Sequence, residues 1–189
     1  MNRAALEHIV RAAAAACGER EIVIIGSQAV LGQFPHAPET LLVSLDADVF
    51  PRYAPDKSNL IDGAIGELSI FHETYGYYAH GIDDTTATLP AGWANRLVPV
   101  SNENTAGAIG WCLDVHDLAL SKLVAGRDKD LEYVRVLMRE KMAASNVLHE
   151  RLKTLPVSPD RLAVVHARLL MAESATANPN SSRPSSKPT

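Results

Sequence analysis

Between residues 41 and 50 the chain alternates with a period of two, and this alternation constrains the fold more than any other feature. Leu41, Val43, Leu45, Ala47 and Val49 are apolar, and Ser44, Asp46 and Asp48 stand between them. In a β-strand this spacing sends both aspartates out of one face and buries the other. Pro51 ends the segment. Upstream, residues 21–25 (Glu-Ile-Val-Ile-Ile) form a short β-branched run, apolar on both faces, which predicts a buried strand. Gly26 and Ser27 follow at once. Residues 28–34 read as a short helix and 35–39 as a loop.

The surrounding periodicities are mostly helical. Leu6, Ile9, Val10, Ala13 and Cys17 fall at helical spacing over 3–17, with Asn2 at the cap and Gly18 at the stop. Ile61, Ile65, Leu68 and Phe71 define one face of a helix over 58–72. Further strands are expected at 75–82 and 96–100, separated by a loop that carries Gly92 and Trp93. From Asp114 onward the pattern is helical, at 115–125, 129–142, 146–155 and 159–172. Ser158 and Pro159 supply the cap and first-turn residues of the last helix. The fold class is α+β: a mixed sheet flanked by helices, followed by a C-terminal helical part. The expected division is an α/β core at 1–112 and a helical part packed on it at 113–171. Residues 172–189 hold five serines and three prolines but no Leu, Ile, Val or aromatic residue. They cannot bury enough apolar surface to offset the entropy of ordering, so a disordered tail is expected there.

Composition narrows the function. Apolar residues make up 47% of the 189, enough for a core, and the net charge is −4. An acidic balance argues against an electrostatically driven nucleic-acid coat, though not against a local grip on one RNA end. Two cysteines, Cys17 and Cys112, are too few for a disulfide framework or a zinc site. No apolar run approaches the roughly 20 residues of a membrane span. The N-terminal residues read as an amphipathic helix, not as a signal peptide. A cytoplasmic protein is expected.

The chemistry centres on Gly26-Ser27 and Asp46-x-Asp48. A strand that ends in Gly-Ser and turns into a helix offers backbone N–H groups and a hydroxyl to phosphate oxygens. Two carboxylates on alternate positions of a strand can share divalent cations, and hard oxygen ligands beside a triphosphate suit Mg²⁺. Such ions can activate a hydroxyl and stabilise a leaving oxygen in nucleotidyl transfer. A Gly-Ser after a strand is usually only a turn, and a D-x-D is more often a solvated face. The order of the two, on consecutive strands, is what carries the signal.

With these residues in view, Ile25 to Ala29 followed by Leu45 to Val49 resembles the opening of the DNA polymerase β-type nucleotidyltransferase fold. More narrowly, the chain resembles the DUF6036 group, related to the AbiEii-type nucleotidyltransferase toxins. That likeness rests on residues 24–33, on 89–93 with Arg96 and Leu97, and on 117–123 with 126–130. It implies a nucleotidyltransferase-like sheet, an NTP substrate, Mg²⁺ on Asp46 and Asp48, and an acceptor hydroxyl on a tRNA 3′ end or a protein. It also implies a possible cognate antitoxin as partner. In the related toxins a lysine in the helix after Asp114 belongs to the active site. Lys122 is the matching residue, and Arg127 and Asp130 extend the nucleotide contact. Polymerase-type transferases carry one further acid on a later strand. Here the expected strand 75–82 carries His80 instead, with Asp83 and Asp84 just beyond.

Lys122 has an independent argument. On a helical wheel from Val115, at roughly 100° per residue, Leu118, Ala119 and Lys122 all fall within about 60° of it. The lysine therefore interrupts an apolar face, where an ammonium needs an anion or an escape to the rim. Arg127 could touch phosphate or the carbonyls ending the preceding helix. Asp130 would suit a helix first turn on dipole grounds alone. Trp93 and the tyrosines at 75, 77 and 78 are expected to pack or anchor loops.

Two other functions compete with a Mg²⁺-dependent nucleotidyltransferase. One is a catalytically degenerate protein of the same fold, a binding or antitoxin-like module, which the missing third acid favours. The other is a D-x-D glycosyltransferase, disfavoured because only 45 residues precede Asp46.

Overall fold

The computed structural model describes residues 1–83 and 85–177. The first helix, α1 (Arg3–Cys17), forms as its periodicity predicts. Asn2 Oδ1 accepts from the Ala5 N–H at 2.9 Å. Gly18 closes it with φ +71°, a left-handed turn that glycine adopts without a Cβ penalty. Its apolar stripe is fully buried against the sheet.

Among the described residues five strands make one mixed sheet: β1 (Glu21–Ile24), β2 (Asp46–Pro51), β3 (Tyr78–Gly81), β4 (Val98–Val100) and β5 (Ile109–Cys112). Their order is β3-β2-β1-β5-β4. β1 runs antiparallel to β2 and parallel to β5, β2 runs parallel to β3, and β4 is antiparallel to β5. The registers Ile24↔Val49 and Asp48↔His80 set the end of β1 beside Asp48 and His80.

The α+β class with a C-terminal run of helices is as expected from the sequence, but several elements differ in extent. The strand expected over 41–50 begins only at Asp46. β1 stops at Ile24, so residues 42–45 have no strand to pair with on that side. Their carbonyls are held by other donors: the Met1 ammonium reaches Leu42 O at 2.6 Å, and Gln28 Nε2 reaches Ser44 O at 3.1 Å. Val43 and Leu45 are exposed as a result. The helix expected over 58–72 is two, α3 (Ser58–Ile65) and α4 (Ile70–Tyr75). Leu68, at φ +63°, breaks the run, and Ser69 caps the second piece through His72 N–H. The strand expected over 75–82 shortens to β3, and that over 96–100 to β4.

β5 has no counterpart among the predicted elements, although it sits between β1 and β4. Its alternation is masked by Gly110, whose place in the strand has a packing cause. A Cβ there would lie 2.7 Å from Val10 Cγ2 of α1. The glycine lets the helix press close to the sheet.

After β5 come α5 (Val115–Ala125), α6 (Asp128–Arg139), α7 (Ser145–Leu152) and α8 (Pro159–Ala177). These helices pack on one another, and α5 also touches the segment after β1. α8 runs five residues past the helix end expected at 172. Ala172 is buried and Glu173 pairs with His149 Nε2 at 2.9 Å, so a tail starting at 172 is a boundary the structure moves. Residues 178–189 of the expected tail lie outside the described residues. No helix among the described residues is long and apolar enough to cross a membrane. Cys17 and Cys112 are free and buried, and burial pushes the Cys112 thiol up to about 12, where it is chemically inert.

Candidate functional site

The local fold after β1 decides where the site lies. The Ile25 N–H donates to Asp48 O at 3.1 Å, which ties the end of β1 to the middle of β2. The chain then turns at Gly26. Its backbone (φ −77°, ψ −166°) is open to any residue, so the glycine is not there for conformational freedom. It is there for space: a Cβ would sit 2.0 Å from Asp48 Oδ2. The helix expected at 28–34 is a 3₁₀ turn (Ser27–Ala29) and a single α-turn, α2 (Val30–Gln33). That is too short to bring a helix dipole to a phosphate, and the Ser27 side chain and its neighbours must supply the polarity.

Gly26, Ser27, Asp46, Asp48, Lys122, Arg127 and Asp130 all line one cleft of about 1000 Å³. The carboxylates occupy one wall. Asp46 and Asp48 leave the same face of β2 while Ala47 and Val49 are buried on the other. Ser44 Oγ donates to Asp46 Oδ1. Burial raises the Asp48 carboxyl above its ordinary range and Asp46 raises it further, with His80 acting the other way.

The cationic wall comes from α5 and α6. Lys122 Nζ donates to Ser27 Oγ at 3.0 Å and pairs with Asp130 at 3.3 Å. It also lies 4.2 Å from the centre of the Tyr133 ring, a cation–π distance. The lysine is 12% exposed, and burial lowers its pKa although Asp130 and Asp48 pull it up. Asp130 is buried. Burial would raise its carboxyl, but the hydrogen bonds and charges of Arg127 and Lys122 hold it below its usual range. Arg127 pairs with Asp130 at 2.6 Å and does not cap α5. That capping falls to Arg161, which reaches Val124 O at 2.8 Å, and to Arg168, which reaches Leu123 O at 2.7 Å. Asp130 is thus an ion-pair partner of Lys122 and Arg127 besides a first-turn acid.

Sequence reasoning missed Tyr133. Its hydroxyl donates to Ser27 O at 2.6 Å, so one side chain holds the serine's backbone and shields the lysine. The signal was present: Tyr133 follows Asp130 by three residues on one helix, a same-face spacing. The aromatic residues Tyr75 and Tyr77 pack with His8 and Phe71 in a cluster that Tyr75 leaves half exposed, so they anchor the α4–β3 turn and stand outside the cleft. Asp117, in the 117–123 segment, has a structural job. It is fully buried and receives Arg96 Nε at 2.8 Å and Arg151 Nη1 at 3.0 Å, tying the loop before β4 to α5 and α7.

Of the residues considered for a third acid, His80 faces the cleft across from Asp48, with Nδ1 3.4 Å from Asp48 Oδ1. Asp83 accepts from Thr85 N and Oγ1. Asp84 lies outside the described residues. Asp46, Asp48 and His80 each offer one donor atom within 4.8 Å of the others. Two carboxylates and an imidazole this close together are a donor set that fits a divalent cation.

A family model described as "Nucleotidyltransferase of unknown function (DUF6036)" matches residues 4–163. No curated protein and no solved structure matches the chain.

Proposed function

We propose that this chain, which belongs to the DUF6036 family of nucleotidyltransferases of unknown function, transfers NMP from an NTP to a hydroxyl and releases pyrophosphate. The observation that carries the reading is the meeting of Lys122 with Ser27 at 3.0 Å in the cleft that also holds Asp46 and Asp48. A desolvated ammonium beside a hydroxyl suits phosphate oxygens, and the opposite carboxylate wall suits a cation.

In this reading Ser27 and Lys122 bind the β and γ phosphates, and Gly26, whose missing Cβ lets the Asp48 carboxylate pack against the turn, brings its backbone to the same wall of the cleft. Asp46 and Asp48 would hold a divalent cation, for which hard carboxylate oxygens beside a triphosphate suit Mg²⁺. When bound, the ion supplies charge that activates the acceptor hydroxyl and stabilises the leaving oxygen. Asp130 orients Lys122 and Arg127 until the anion arrives. Lys129, Arg139 and Arg161 also line the cleft, so an acceptor with its own phosphates, such as an RNA 3′ end, is favoured over a protein hydroxyl.

The test is incubation with each labelled NTP, a divalent cation and total tRNA or lysate. A labelled RNA or protein band that is lost in Asp48→Asn is the expected result. A second reading, a degenerate protein that binds NTP without transfer, draws on His80 standing where a polymerase-type enzyme carries an acid. It predicts cation-dependent NTP binding with no labelled product. A toxin role and a cognate antitoxin rest on the family resemblance. Growth arrest on expression, relieved by Asp48→Asn, is their test.

A further inference from the structure

We propose that His80 is a third protein ligand of the cation held by Asp46 and Asp48, and that it makes this position select a first-row transition ion such as Mn²⁺ over Mg²⁺. The proposal rests on the reading that these two aspartates hold a divalent cation.

Register places the histidine. β2 and β3 are parallel, with Asp48 directly opposite His80 and Asp46 opposite Tyr78. Directly paired residues project to the same face of a sheet, so the imidazole stands beside the carboxylates. The separation fits shared coordination. Two neighbouring donors on an octahedral ion at ~2.1 Å lie about 3 Å apart, and His80 Nδ1 stands 3.4 Å from Asp48 Oδ1. The His80 side chain is 56% exposed, so core packing does not explain its position. The other carboxylate oxygen of Asp48, Oδ2, packs against Gly26, where a Cβ would stand 2.0 Å away, so the turn after β1 fixes the carboxylate in place.

The donor chemistry sets the preference. Mg²⁺ demands hard oxygen ligands and sheds water reluctantly, and it depends on anionic charge for its hold. Exchanging a third carboxylate for a neutral imidazole removes one negative charge and adds a borderline nitrogen donor. First-row ions accept mixed nitrogen and oxygen sets. Magnesium carried by the triphosphate itself is unaffected, because His80 would act only on the ion bound by protein side chains. The competing explanation is a simple ion pair, with protonated His80 neutralising Asp48. It predicts the opposite sign: removing the imidazole would strengthen cation binding.

The test uses nucleotide-free full-length protein. Mn²⁺ binding is followed by loss of the free-ion electron paramagnetic resonance signal, with Mg²⁺ as competitor. The expected result is that Mn²⁺ binds at least about tenfold more tightly than Mg²⁺ and that His80→Ala loses about tenfold or more of the Mn²⁺ affinity. Bound Mn²⁺ should show nitrogen modulation from the imidazole, absent in His80→Ala. His80→Asp should lose the nitrogen signal and gain Mg²⁺ affinity. Equal affinity for the two ions, tighter binding in His80→Ala, or no binding of either ion would each overturn the proposal. The labelled-NTP assay judges the transferase reading separately, since activity with Mg²⁺ alone can persist when His80 is no ligand.

Discussion

Lys122 and Ser27 are separated by 95 positions in the chain and lie 3.0 Å apart in the fold, Nζ to Oγ. The contact joins the turn after β1 to the helix after β5. It spends a buried ammonium on a hydroxyl, which is poor compensation for the water lost. Asp130 supplies the missing anion at 3.3 Å. An incoming phosphate would offer both groups a stronger partner.

The first prediction follows for Lys122→Met. The substitution keeps an unbranched apolar stem, gives up the cation–π contact of Nζ with Tyr133, and removes a charge whose pKa burial already depresses. Asp130 is not stranded, because Arg127 remains 2.6 Å away. Stability should therefore change by less than about 1 kcal/mol, while NTP affinity falls by roughly 1.5–3 kcal/mol, the scale of a charge-assisted hydrogen bond. Thermal melts and NTP titration of this one variant decide it. A clearly destabilised protein with normal NTP affinity would take Lys122 out of the site.

Asp117 serves as the contrast. It lies five residues before Lys122 in the same helix but holds two guanidinium groups away from the cleft wall. Asp117→Asn should cost about 3 kcal/mol or more, since it removes the fully buried carboxylate that the partly buried guanidinium groups of Arg96 and Arg151 share. Whatever protein remains folded should bind NTP with unchanged affinity. Denaturant unfolding beside NTP titration measures both quantities, and a loss of affinity without a loss of stability would contradict the structural assignment.

How far the sequence revealed this site depends on the kind of signal. The period-two run displayed Asp46 and Asp48 on one face because side-chain direction in a strand is local. Lys122 was visible because a charge interrupted an apolar helical stripe. The contact of Tyr133 with Ser27 spans 106 positions, and its one local sign is the same-face spacing of Tyr133 from Asp130, which does not name the partner. β5 was hidden because Gly110 serves the packing of α1 and breaks the alternation a strand would otherwise show. The early start expected for β2 failed for a related reason. Leu41, Val43 and Leu45 have the pattern of a strand, but β1 ends before it can pair with them.

Asp48 gives a prediction in pH. Its carboxyl is raised by burial and by Asp46, so the folded protein holds that proton more tightly than the unfolded chain does. The stability associated with the protonated form is fully present below the ordinary carboxylate range, near ~4. It is lost as pH rises through the raised folded value. Asp48→Asn should therefore melt a few degrees higher than the parent at neutral pH without added metal. The difference should shrink to nothing as pH falls below that range. Melting curves across acid to neutral pH test it, and a variant that is less stable at neutral pH would contradict the sign.

The end of α8 supplies a stability test independent of the site. Deleting 172–189 removes Ala172 from the core and Glu173 from its pairing with His149 and Ser145. A loss of about 1 kcal/mol is expected, read as a fall of about 2–4 °C in melting temperature for a chain of this size. An unchanged melting temperature would mean that these two residues contribute nothing.

Gly26→Ala tests whether the space beside Asp48 matters. Alanine meets no backbone penalty, because φ −77° and ψ −166° are ordinary for any residue. Its Cβ would nevertheless stand 2.0 Å from Asp48 Oδ2, closer than any non-bonded contact allows. Either the carboxylate rotates away or the turn after β1 shifts from β2, and both movements spoil the pairing of Asp48 with its neighbours. The cost should be about 1–3 kcal/mol in stability, as for other overpacked positions. Divalent-cation affinity should fall with it, because the displaced carboxylate no longer faces Asp46. Asp48→Ala in the Gly26→Ala background opens the space again and should recover the lost stability without recovering the cation. If the single variant binds cations as well as the parent, the carboxylate does not need the room that glycine provides.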